Sequence, residues 1–562
     1  MNKTQKIIIF VLIAIGLLCR VVKFGQVPAT LYVDEVAMYI DGASVASTGL
    51  DMHGNKWWQT IYPSYGDYKQ AGYIWLVSAG MKLFGIHEWV VRLPSLLAGI
   101  GTIFVAGALG YVLFEESRKN RVVIGLCSAL VVAISPWSLL FSRVGFEGHL
   151  GQFFLSASVL FFMLSKKSRW WMVLSVLFAA LSTYTYFSVR FVLPVVFVVY
   201  FLLGIFPEYI RAHYPVKRVL KQFFLVLILP LMLYGLLLLP LFNSSHYKHA
   251  NTYRLSTSSI LSSDQHVLAS NALREATDNN VISKIIFHRD YLLLKKLAEN
   301  YSDTLSLNYL FISGDPNLRH GTGTDGVFLF GLFPFFMVGM YALARRRKRV
   351  LLFLVAWWLI ALLPASVPET TPHTLRSLNA YVAVSLIIGC GIWYFYNTSV
   401  GMITYKNHKL LYGLLGSILF SVVVFSYLHL IHYYFVIYPK ASSDFWFANT
   451  REEAIIVNQI KKDKPVYTVQ VGDKYYLWLL AYSEFLATQI PDKNYQGYII
   501  KSTPIYKNDV GMSDLPVAGN AIVVVREDSL ANEIKSLYKD KIIDQKTVIN
   551  MMGQTTYIFD VN

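Results

Sequence analysis

Charged side chains are scarce in this sequence of 562 residues, where Lys, Arg, Asp and Glu together make up 15%. Soluble globular domains carry about 25% charged residues. Hydrophobic residues make up 55% of the chain. This shortage of polar surface excludes a soluble globular enzyme, and the abundance of apolar residues excludes a disordered chain. The composition therefore predicts a multi-pass membrane protein.

Cysteine is rare as well. Cys19, Cys127 and Cys390 each lie inside an apolar segment and are too far apart in sequence for a metal cluster. We interpret them as small packing residues. The formal net charge of +16 does not call for a nucleic-acid partner, because Lys and Arg in the loops of a membrane protein set its orientation.

Long apolar segments recur through most of the chain. A membrane-spanning helix needs about 20 mostly apolar residues, and about eleven segments approach that length. They lie at residues 7–22, 92–114, 121–141, 150–165, 169–186, 190–206, 222–242, 326–344, 349–366, 380–396 and 410–436. The first follows Lys3 and Lys6 without a small-residue cleavage site, which favours a signal anchor over a cleaved signal peptide.

A further apolar stretch, from Tyr73 to Phe84, decides the predicted topology. If this stretch does not cross the membrane, the most basic loops fall on one side. Those loops contain Arg118, Lys119, Arg121, Lys166, Lys167, Arg169, Arg211, Lys217, Arg218, Lys221, the run from Arg345 to Arg349, Lys406 and Lys409. The positive-inside rule then places these loops and the N-terminus in the cytoplasm, and we expect residues 73–84 to lie along the outer surface of the cell membrane.

This topology leaves three long regions outside the cell membrane, at residues 23–91, 243–325 and 437–562. The last has strand-like runs at 466–471, 522–525 and 555–559 and a helical pattern at 529–539. We therefore expect an α-helical polytopic membrane domain at 1–436 and a small extracytoplasmic α/β domain at 437–562.

Two adjacent carboxylates, Asp34 and Glu35, follow the first predicted span by about a dozen residues. Such a pair near a bilayer is costly unless it is solvated, paired or used in chemistry. A solvated loop or a helix N-terminus would explain it without a function. The apolar spacing downstream of the pair predicts a helix that stops at Gly49.

The other outer loops repeat one theme, since each brings Arg together with His, Tyr or a carboxylate. The residues concerned are Arg143 and Glu147, Tyr184, Tyr186 and Arg190, Asp315, Arg319 and His320, and His373 and Arg376. Lys69 lies just before the stretch at 73–84. A single Arg or Lys at a helix end is usually an interfacial anchor. Several on one face indicate an anionic group held at the outer surface.

These residues resemble the GT-C membrane glycosyltransferases, which take sugars from polyprenyl-phosphate carriers and include protein O-mannosyltransferases and lipid A aminoarabinose transferases. The resemblance covers residues 5–435. It is carried by Asp34-Glu35, by Lys69 with the run Phe-Gly-Ile-His-Glu-Trp-Val-Val-Arg-Leu-Pro-Ser-Leu-Leu-Ala-Gly at 84–99, by 141–147 and by 372–376. Many members have Lys-Pro-Pro where this chain has Lys69-Gln70-Ala71, and an Asp where it has Glu147.

The resemblance implies a GT-C fold and an inverting transfer of a hexosyl or pentosyl group to a hydroxyl of a lipid, cell-surface glycan or protein, as in modification of lipopolysaccharide or cell wall. The expected catalytic residues are Asp34 and Glu35. Asp34 would be the general base, and Glu35 and Glu147 would position the acceptor or the sugar, or tune Asp34 by like-charge proximity. Lys69, Arg319, His373 and Arg376 would hold phosphate. Substrate contacts are also expected from the remaining loop residues, Arg143, Tyr184, Tyr186, Arg190, Asp315 and His320. No metal is expected to be obligatory, although some relatives use a divalent ion.

Two other classes of protein would also explain the charged residues of the outer loops. A transporter or flippase for lipid-linked glycans would also grip phosphate, but transporters usually carry ionisable groups near the middle of the membrane. A polysaccharide polymerase would also carry outer arginines, but the position of Asp34-Glu35 directly after the first span argues against it.

Overall fold

A computed structural model of the chain describes residues 3–64, 66–114, 116–257, 259–403, 409–461, 464–472, 474–482, 506–507, 510–516, 519–550 and 553–562. Lys406, one of the predicted cytoplasmic cations, lies outside these residues. The chain forms two compact units. The first comprises Met1–Val22, Asp67–Gly72 and Ser95–His432, and the second comprises Lys23–Gly66, Tyr73–Pro94 and Tyr433–Asn562. The units differ from the predicted segments 1–436 and 437–562, because two pieces of the first outer loop belong to the same unit as the C-terminal segment.

Seven helices of the described residues are long and apolar enough to cross a membrane, by length and composition. They are Glu88–Leu113, Glu147–Leu164, Val189–Arg211, Val216–Leu237, Lys348–Ala365, Thr374–Ser399 and Leu410–Ala441. The other predicted spans are helical over Lys3–Val21, Arg118–Ile134, Arg169–Thr185 and Phe333–Arg346. The count of about eleven spans stays a prediction, because these four helices are shorter than the roughly 20 residues that a span needs.

The stretch predicted to lie on the membrane surface forms the helix Ala71–Phe84. Its 14 residues rise about 21 Å in total. The hydrocarbon core of a bilayer is roughly 30 Å thick. The length therefore fits a helix that does not cross the membrane, while its orientation, like the sidedness of the whole chain, stays a prediction.

In the first unit, the helix Thr374–Ile403 is surrounded by others. It packs against Arg118–Ile134, Glu147–Leu164, Phe333–Arg346 and Lys348–Leu362. Its closest approach is to the helix Phe333–Arg346, where a Cβ atom on Gly391 would lie closer than 3.0 Å to the carbonyl oxygen of Phe335. Glycine is needed there because the two backbones touch.

The outer region 243–325 of the first unit is also mostly helical, in short pieces. These are Tyr247–Thr257, Gln265–Glu275, Val281–Ile286, Arg289–Leu305 and Leu307–Phe311. A loop of residues 312–329 then leads to the short 3-10 turn Phe330–Leu332. A second loop, 366–373, leads to the N-terminus of the helix Thr374–Ile403. These two loops and the strand Asp67–Gln70 carry most of the residues discussed below.

The second unit contains the helix Val33–Thr48, which ends at Gly49 with a left-handed backbone of φ 78°. The short strand β1 (Ile61–Ser64) follows it along the chain, whereas the next strand, β2 (Asp67–Gln70), belongs to the first unit. The C-terminal segment has helices Thr450–Ile460, Tyr476–Ala481 and Asp528–Tyr538. Its strands are β3 (Val466–Val469), β4 (Tyr506–Lys507), β5 (Ala521–Val525), β6 (Ile542–Ile549) and β7 (Thr555–Val561).

These five strands form one mixed sheet in the order β4-β3-β5-β7-β6. Strand β3 pairs in parallel with β4 and β5, and β7 pairs antiparallel with β5 and β6. Val523, Val525, Ile534 and Phe559 belong to the core between the sheet and the helix Asp528–Tyr538. The three runs predicted as strands lie in β3, β5 and β7, and the predicted helix is present.

Candidate functional site

Lys69 lies in β2 and is almost entirely buried. Its Nζ atom is 3.6 Å from Asp67 Oδ2 and 3.7 Å from Glu147 Oε1, and 5% of its side chain is exposed. Glu147 is the first residue of the helix Glu147–Leu164, where the helix dipole favours a negative charge. Both distances exceed those of a direct hydrogen bond. The ammonium group is therefore held near two carboxylates without being tightly bonded to either.

Further cations surround Tyr186. The charged groups that act on its hydroxyl are Arg376, Arg254, Glu147 and Lys69. The neighbours of Arg376 in turn include Tyr186 and Arg254. The three cations thus meet around one phenol.

Two of the arginines in this region are oriented by neighbouring groups. Arg254 Nη2 donates a hydrogen bond of 3.0 Å to the carbonyl oxygen of Tyr68. The guanidinium carbon of Arg254 lies 5.1 Å from the centroid of the Phe187 ring, and that of Arg190 lies 4.1 Å from the same ring. Arg190 also lies 5.6 Å from the ring of Tyr247. Phe187 therefore brings two guanidinium groups together.

We call Lys69, Arg190, Arg254, Arg376 and Tyr186 the cationic cluster. Asp67 and Glu147 are carboxylates that act on it, and four cations gather within it. Like charges in a buried setting repel unless an anion joins them. The arrangement can therefore hold a singly or doubly charged anion such as a phosphate.

A second group lies in the loop 312–329. Asp315 is 3% exposed. Its Oδ1 accepts a hydrogen bond of 2.9 Å from the amide of Asn317, and its Oδ2 accepts one of 2.8 Å from the amide of Thr374. His320 Nδ1 lies 3.6 Å from the same Oδ2, and the ring of His320 stacks on that of His373 with centroids 4.5 Å apart. One ligand atom from each of these three side chains lies within 4.8 Å of the others.

The titration of this group is shifted by burial. Burial raises the pKa of Asp315 to about 6. Burial and the nearby Arg376 lower the pKa of His373 to about 3, and burial and His373 hold the pKa of His320 well below its usual value. Both imidazoles are therefore neutral at physiological pH. Arg319 is the remaining predicted residue here, and its Nε donates a hydrogen bond of 3.2 Å to Asn317 Oδ1.

Both carboxylate oxygens of Glu35 accept hydrogen bonds from within the protein, and its expected role in the reaction stays a prediction. It is fully buried in the second unit. Arg92 Nε lies 2.8 Å from its Oε1 and Arg92 Nη2 lies 3.0 Å from its Oε2. The amide of Tyr32 donates a hydrogen bond of 2.9 Å to Oε2 as a helix cap. Arg92 also donates to the carbonyl oxygens of Pro28 and Thr30. The pair fastens the first outer loop, whereas Asp34, in the first turn of the same helix, is partly exposed.

Arg143 and Tyr184 also contact the protein's own backbone. Arg143 is fully buried, and its Nη1 donates to the carbonyl oxygens of Cys19 and Arg20 at 2.8 and 2.9 Å. It therefore caps the end of the helix Lys3–Val21. The hydroxyl of Tyr184 donates to the carbonyl oxygen of Leu237 at 2.8 Å. These contacts give both residues a packing role, and their substrate role stays a prediction.

Two residues of these sites were missed by the sequence analysis. Arg254 follows Tyr253 in the outer region 243–325, so it fits the pairing of Arg with Tyr noted in other loops. That region holds several cations with no signal to rank them. Arg92 lies inside the run 84–99 that carries the family resemblance, but nothing in that run predicts its pairing with Glu35.

Comparison with known proteins gives a fold. No protein-family model matches the sequence, and no curated protein matches it. ArnT from Cupriavidus metallidurans bound to undecaprenyl phosphate superimposes with a TM-score of 0.54 at 13% identity, covering 99% of this chain and 98% of that chain. The same protein in the apo state gives 0.51 at 14% identity, with the same coverage.

The chain therefore has the fold of a membrane transferase of the GT-C class, as the outer-loop residues indicated. One solved protein that it resembles along nearly its whole length is ArnT, an aminoarabinose transferase of lipid A. At this level of identity the likeness extends to the fold and not to the activity.

Proposed function

We propose that the chain is an inverting glycosyltransferase that moves a hexosyl or pentosyl group from a polyprenyl-phosphate carrier to an acceptor hydroxyl at the outer face of the cell membrane. The observation that carries this proposal is the cationic cluster, where Lys69, Arg254 and Arg376 act on the hydroxyl of Tyr186. The crystal structure of ArnT with undecaprenyl phosphate supports a lipid phosphate as the ligand. The acceptor would be a lipid, a cell-surface glycan or a protein.

The cluster suits the charge change of this reaction. In the donor, the phosphate joins the sugar to the lipid and carries one negative charge. When the bond between the anomeric carbon and the phosphate oxygen breaks, the departing polyprenyl phosphate gains a second. Cations already in place stabilise that added charge without reorganising, and this is where electrostatics lowers a barrier most. Lys69 would act as a point charge, and Arg254 and Arg376 would offer paired N–H donors.

Asp34 is our candidate for the general base. Glu35 is unsuited to that role because both of its oxygens are bonded to Arg92. Asp34 is partly exposed and lies in the first turn of its helix. It would accept the proton of the acceptor hydroxyl as the oxygen attacks the anomeric carbon. General-base assistance of this kind is worth about a hundred- to ten-thousandfold in rate.

Binding of undecaprenyl phosphate to the full chain in lipid nanodiscs tests the cluster. Lys69→Ala and Arg254→Ala should each weaken binding by at least about tenfold, since a charge-assisted contact to an anion contributes roughly 1.5–3 kcal/mol. The control is Lys248→Ala, which removes an exposed cation from the helix that carries Arg254 and should leave affinity unchanged.

A second measurement addresses the chemistry. Transfer from a panel of radiolabelled polyprenyl-phosphate sugars should be seen with the wild type and lost with Asp34→Asn, while lipid-phosphate binding is kept. Wild-type affinity in both Lys69→Ala and Arg254→Ala would refute the phosphate site. Lipid-glycan movement across vesicles without any transfer would favour a transporter instead.

A further inference from the structure

We propose that Asp315, His320 and His373 form a binding site for a single Zn²⁺ ion. The three side chains come from two loops of the first unit that precede the helix Thr374–Ile403. Their ligand atoms already lie within 4.8 Å of one another. One carboxylate with two imidazoles is a donor set found in zinc sites that keep one coordination position open.

Two backbone amides hold the carboxylate of Asp315 in place. Asn317 and Thr374 each donate a backbone amide hydrogen bond to one oxygen of Asp315. Hydrogen bonds of this kind orient a metal ligand and usually accompany the ligands themselves. Because the amides are part of the two loops, the same contacts also tie the loop of Asp315 and His320 to the residue that follows His373.

The backbone of the loop leaves little room for another conformation. Gly314 has a left-handed backbone with φ 66°, and a Cβ atom there would lie closer than 3.0 Å to the carbonyl oxygen of Asp325. A Cβ atom on Gly321 would lie closer than 3.0 Å to the carbonyl oxygen of Asp315. The loop therefore folds closely on itself, and the positions of Asp315 and His320 are set by packing.

An independent observation points to a ligand at this place. The Nδ1 atom of His373 is buried and has no well-formed hydrogen bond to another of the described residues. A buried polar atom without a partner costs free energy, and native proteins seldom leave one unsatisfied. The ring is held against that of His320 with centroids 4.5 Å apart. A metal ion coordinated by His373 would satisfy this nitrogen if the ring presents Nδ1 to it.

The ligand types determine which metal ion the site prefers, and the neighbouring charges limit how tightly the ion binds. Two imidazoles favour Zn²⁺ over Mg²⁺ or Ca²⁺, which prefer oxygen ligands. Arg319 and Arg376 act on His320 and would repel a cation. They would also favour an anionic oxygen as the remaining ligand. We therefore expect affinity below that of closed structural zinc sites, and stronger binding when phosphate is present.

Metal titration of the full chain tests the site. The protein is purified without a histidine tag, treated with EDTA, desalted, and titrated with Zn²⁺ by calorimetry and with Co²⁺ by visible absorption. We expect one equivalent of Zn²⁺ for the wild type, with affinity lowered at least tenfold by His320→Ala and by His373→Ala. His288→Ala is the control, because it removes a half-exposed imidazole that lies beside Asp290 and is not one of the three proposed ligands.

Asp315→Asn keeps the shape of the side chain and should still fold, which its melting temperature would verify. It should change the Co²⁺ spectrum, since it removes a charged oxygen ligand. Absence of saturable Zn²⁺ binding in the wild type, or the same stoichiometry and affinity in all variants, would overturn the proposal. Lys69→Ala should leave Zn²⁺ binding intact. The experiments therefore distinguish a failure of the proposed metal site from a failure of the proposed lipid-phosphate site.

Discussion

Replacing Glu35 with alanine would show whether this residue acts in the reaction or in the fold. The change removes the partner of Arg92, which is 1% exposed while Glu35 is fully buried. The two side chains form a bidentate pair at 2.8 and 3.0 Å. Removing one member of a buried ion pair typically costs about 3–5 kcal/mol, because the remaining charge is left without compensation. We expect a loss of that size in Glu35→Ala.

In Glu35→Ala, Arg92 would keep some of its hydrogen-bond partners. Arg92 still donates to the carbonyl oxygens of Pro28 and Thr30, so the cost should fall toward the lower end of the range. Glu35→Ala also removes the cap on the amide of Tyr32, and a lost helix cap costs about 1 kcal/mol. The two effects act on the same loop, so they are measured together.

A double-mutant cycle separates the ion pair from these additions. Denaturant unfolding of the detergent-solubilised protein is compared for wild type, Glu35→Ala, Arg92→Met and the double variant. In the Arg92→Met background, Glu35→Ala should instead restore part of the lost stability, because it removes a buried carboxylate that has lost Arg92, and only the cap on Tyr32, about 1 kcal/mol, counts against that gain. The coupling energy between the two positions should therefore be several-fold larger than a surface pair gives.

The cycle can refute the structural role of Glu35. If Glu35→Ala unfolds at the same denaturant concentration as the wild type but has lost sugar transfer, Glu35 acts in catalysis and the structural explanation fails. If the double variant regains stability and retains transfer activity per folded molecule, the ion pair is structural.

Two further predictions follow from packing and burial. Gly391→Leu should destabilise the first unit by about 1–3 kcal/mol through overpacking, because the added side chain meets the backbone of Phe335. Gly413→Leu should be neutral in thermal unfolding, since a Cβ atom there meets no atom of the described part of the chain within 4 Å beyond its own helix backbone; equal melting temperatures of the two variants would contradict this. Burial, together with the neighbouring Asp51, raises the pKa of Asp41 well above its ordinary value, so the folded state retains a proton there that the unfolded state releases. Stability should therefore fall by about 1.4 kcal/mol per pH unit between the ordinary and the raised pKa. Asp41→Asn keeps an oxygen for the amide of Met52 and should abolish this slope in unfolding measured from about pH 4 to 8; an unchanged slope would refute the assignment to Asp41.

Much of the secondary structure could be predicted because it depends on local patterns. Apolar runs of spanning length predict the helices, and strand-like runs in the C-terminal segment predict β3, β5 and β7. Gly49 was predicted as the stop of the helix that contains Asp34, and it has the left-handed backbone that favours glycine there. The grouping of the first outer loop with the C-terminal segment had no local signal, because it depends on contacts between residues far apart in sequence.

The candidate site was predictable only in part for the same reason. Composition and spacing showed which loops bring arginine, histidine and carboxylates to one predicted face of the membrane. They did not show which charges neutralise one another. The partner of Glu35 is 57 residues away, and Arg143 contacts carbonyl oxygens more than 120 residues before it in the chain.

The hydrogen-bond partners of each polar atom therefore show better than the sequence context which of the predicted residues have a structural role and which are candidates for binding a ligand. Glu35 and Arg143 bind partners within the protein at hydrogen-bond distances, and their burial is explained by the fold. Lys69 is also buried, its ammonium group lies 3.6 and 3.7 Å from two carboxylates, and it shares its surroundings with Arg254 and Arg376. His373 is buried with a nitrogen that no described residue satisfies. Folding alone gains little from burying such groups. The gathering of cations around Tyr186 and the placement of His373 make physical sense if ligands complete them, an anion at the cationic cluster and a metal ion at His373.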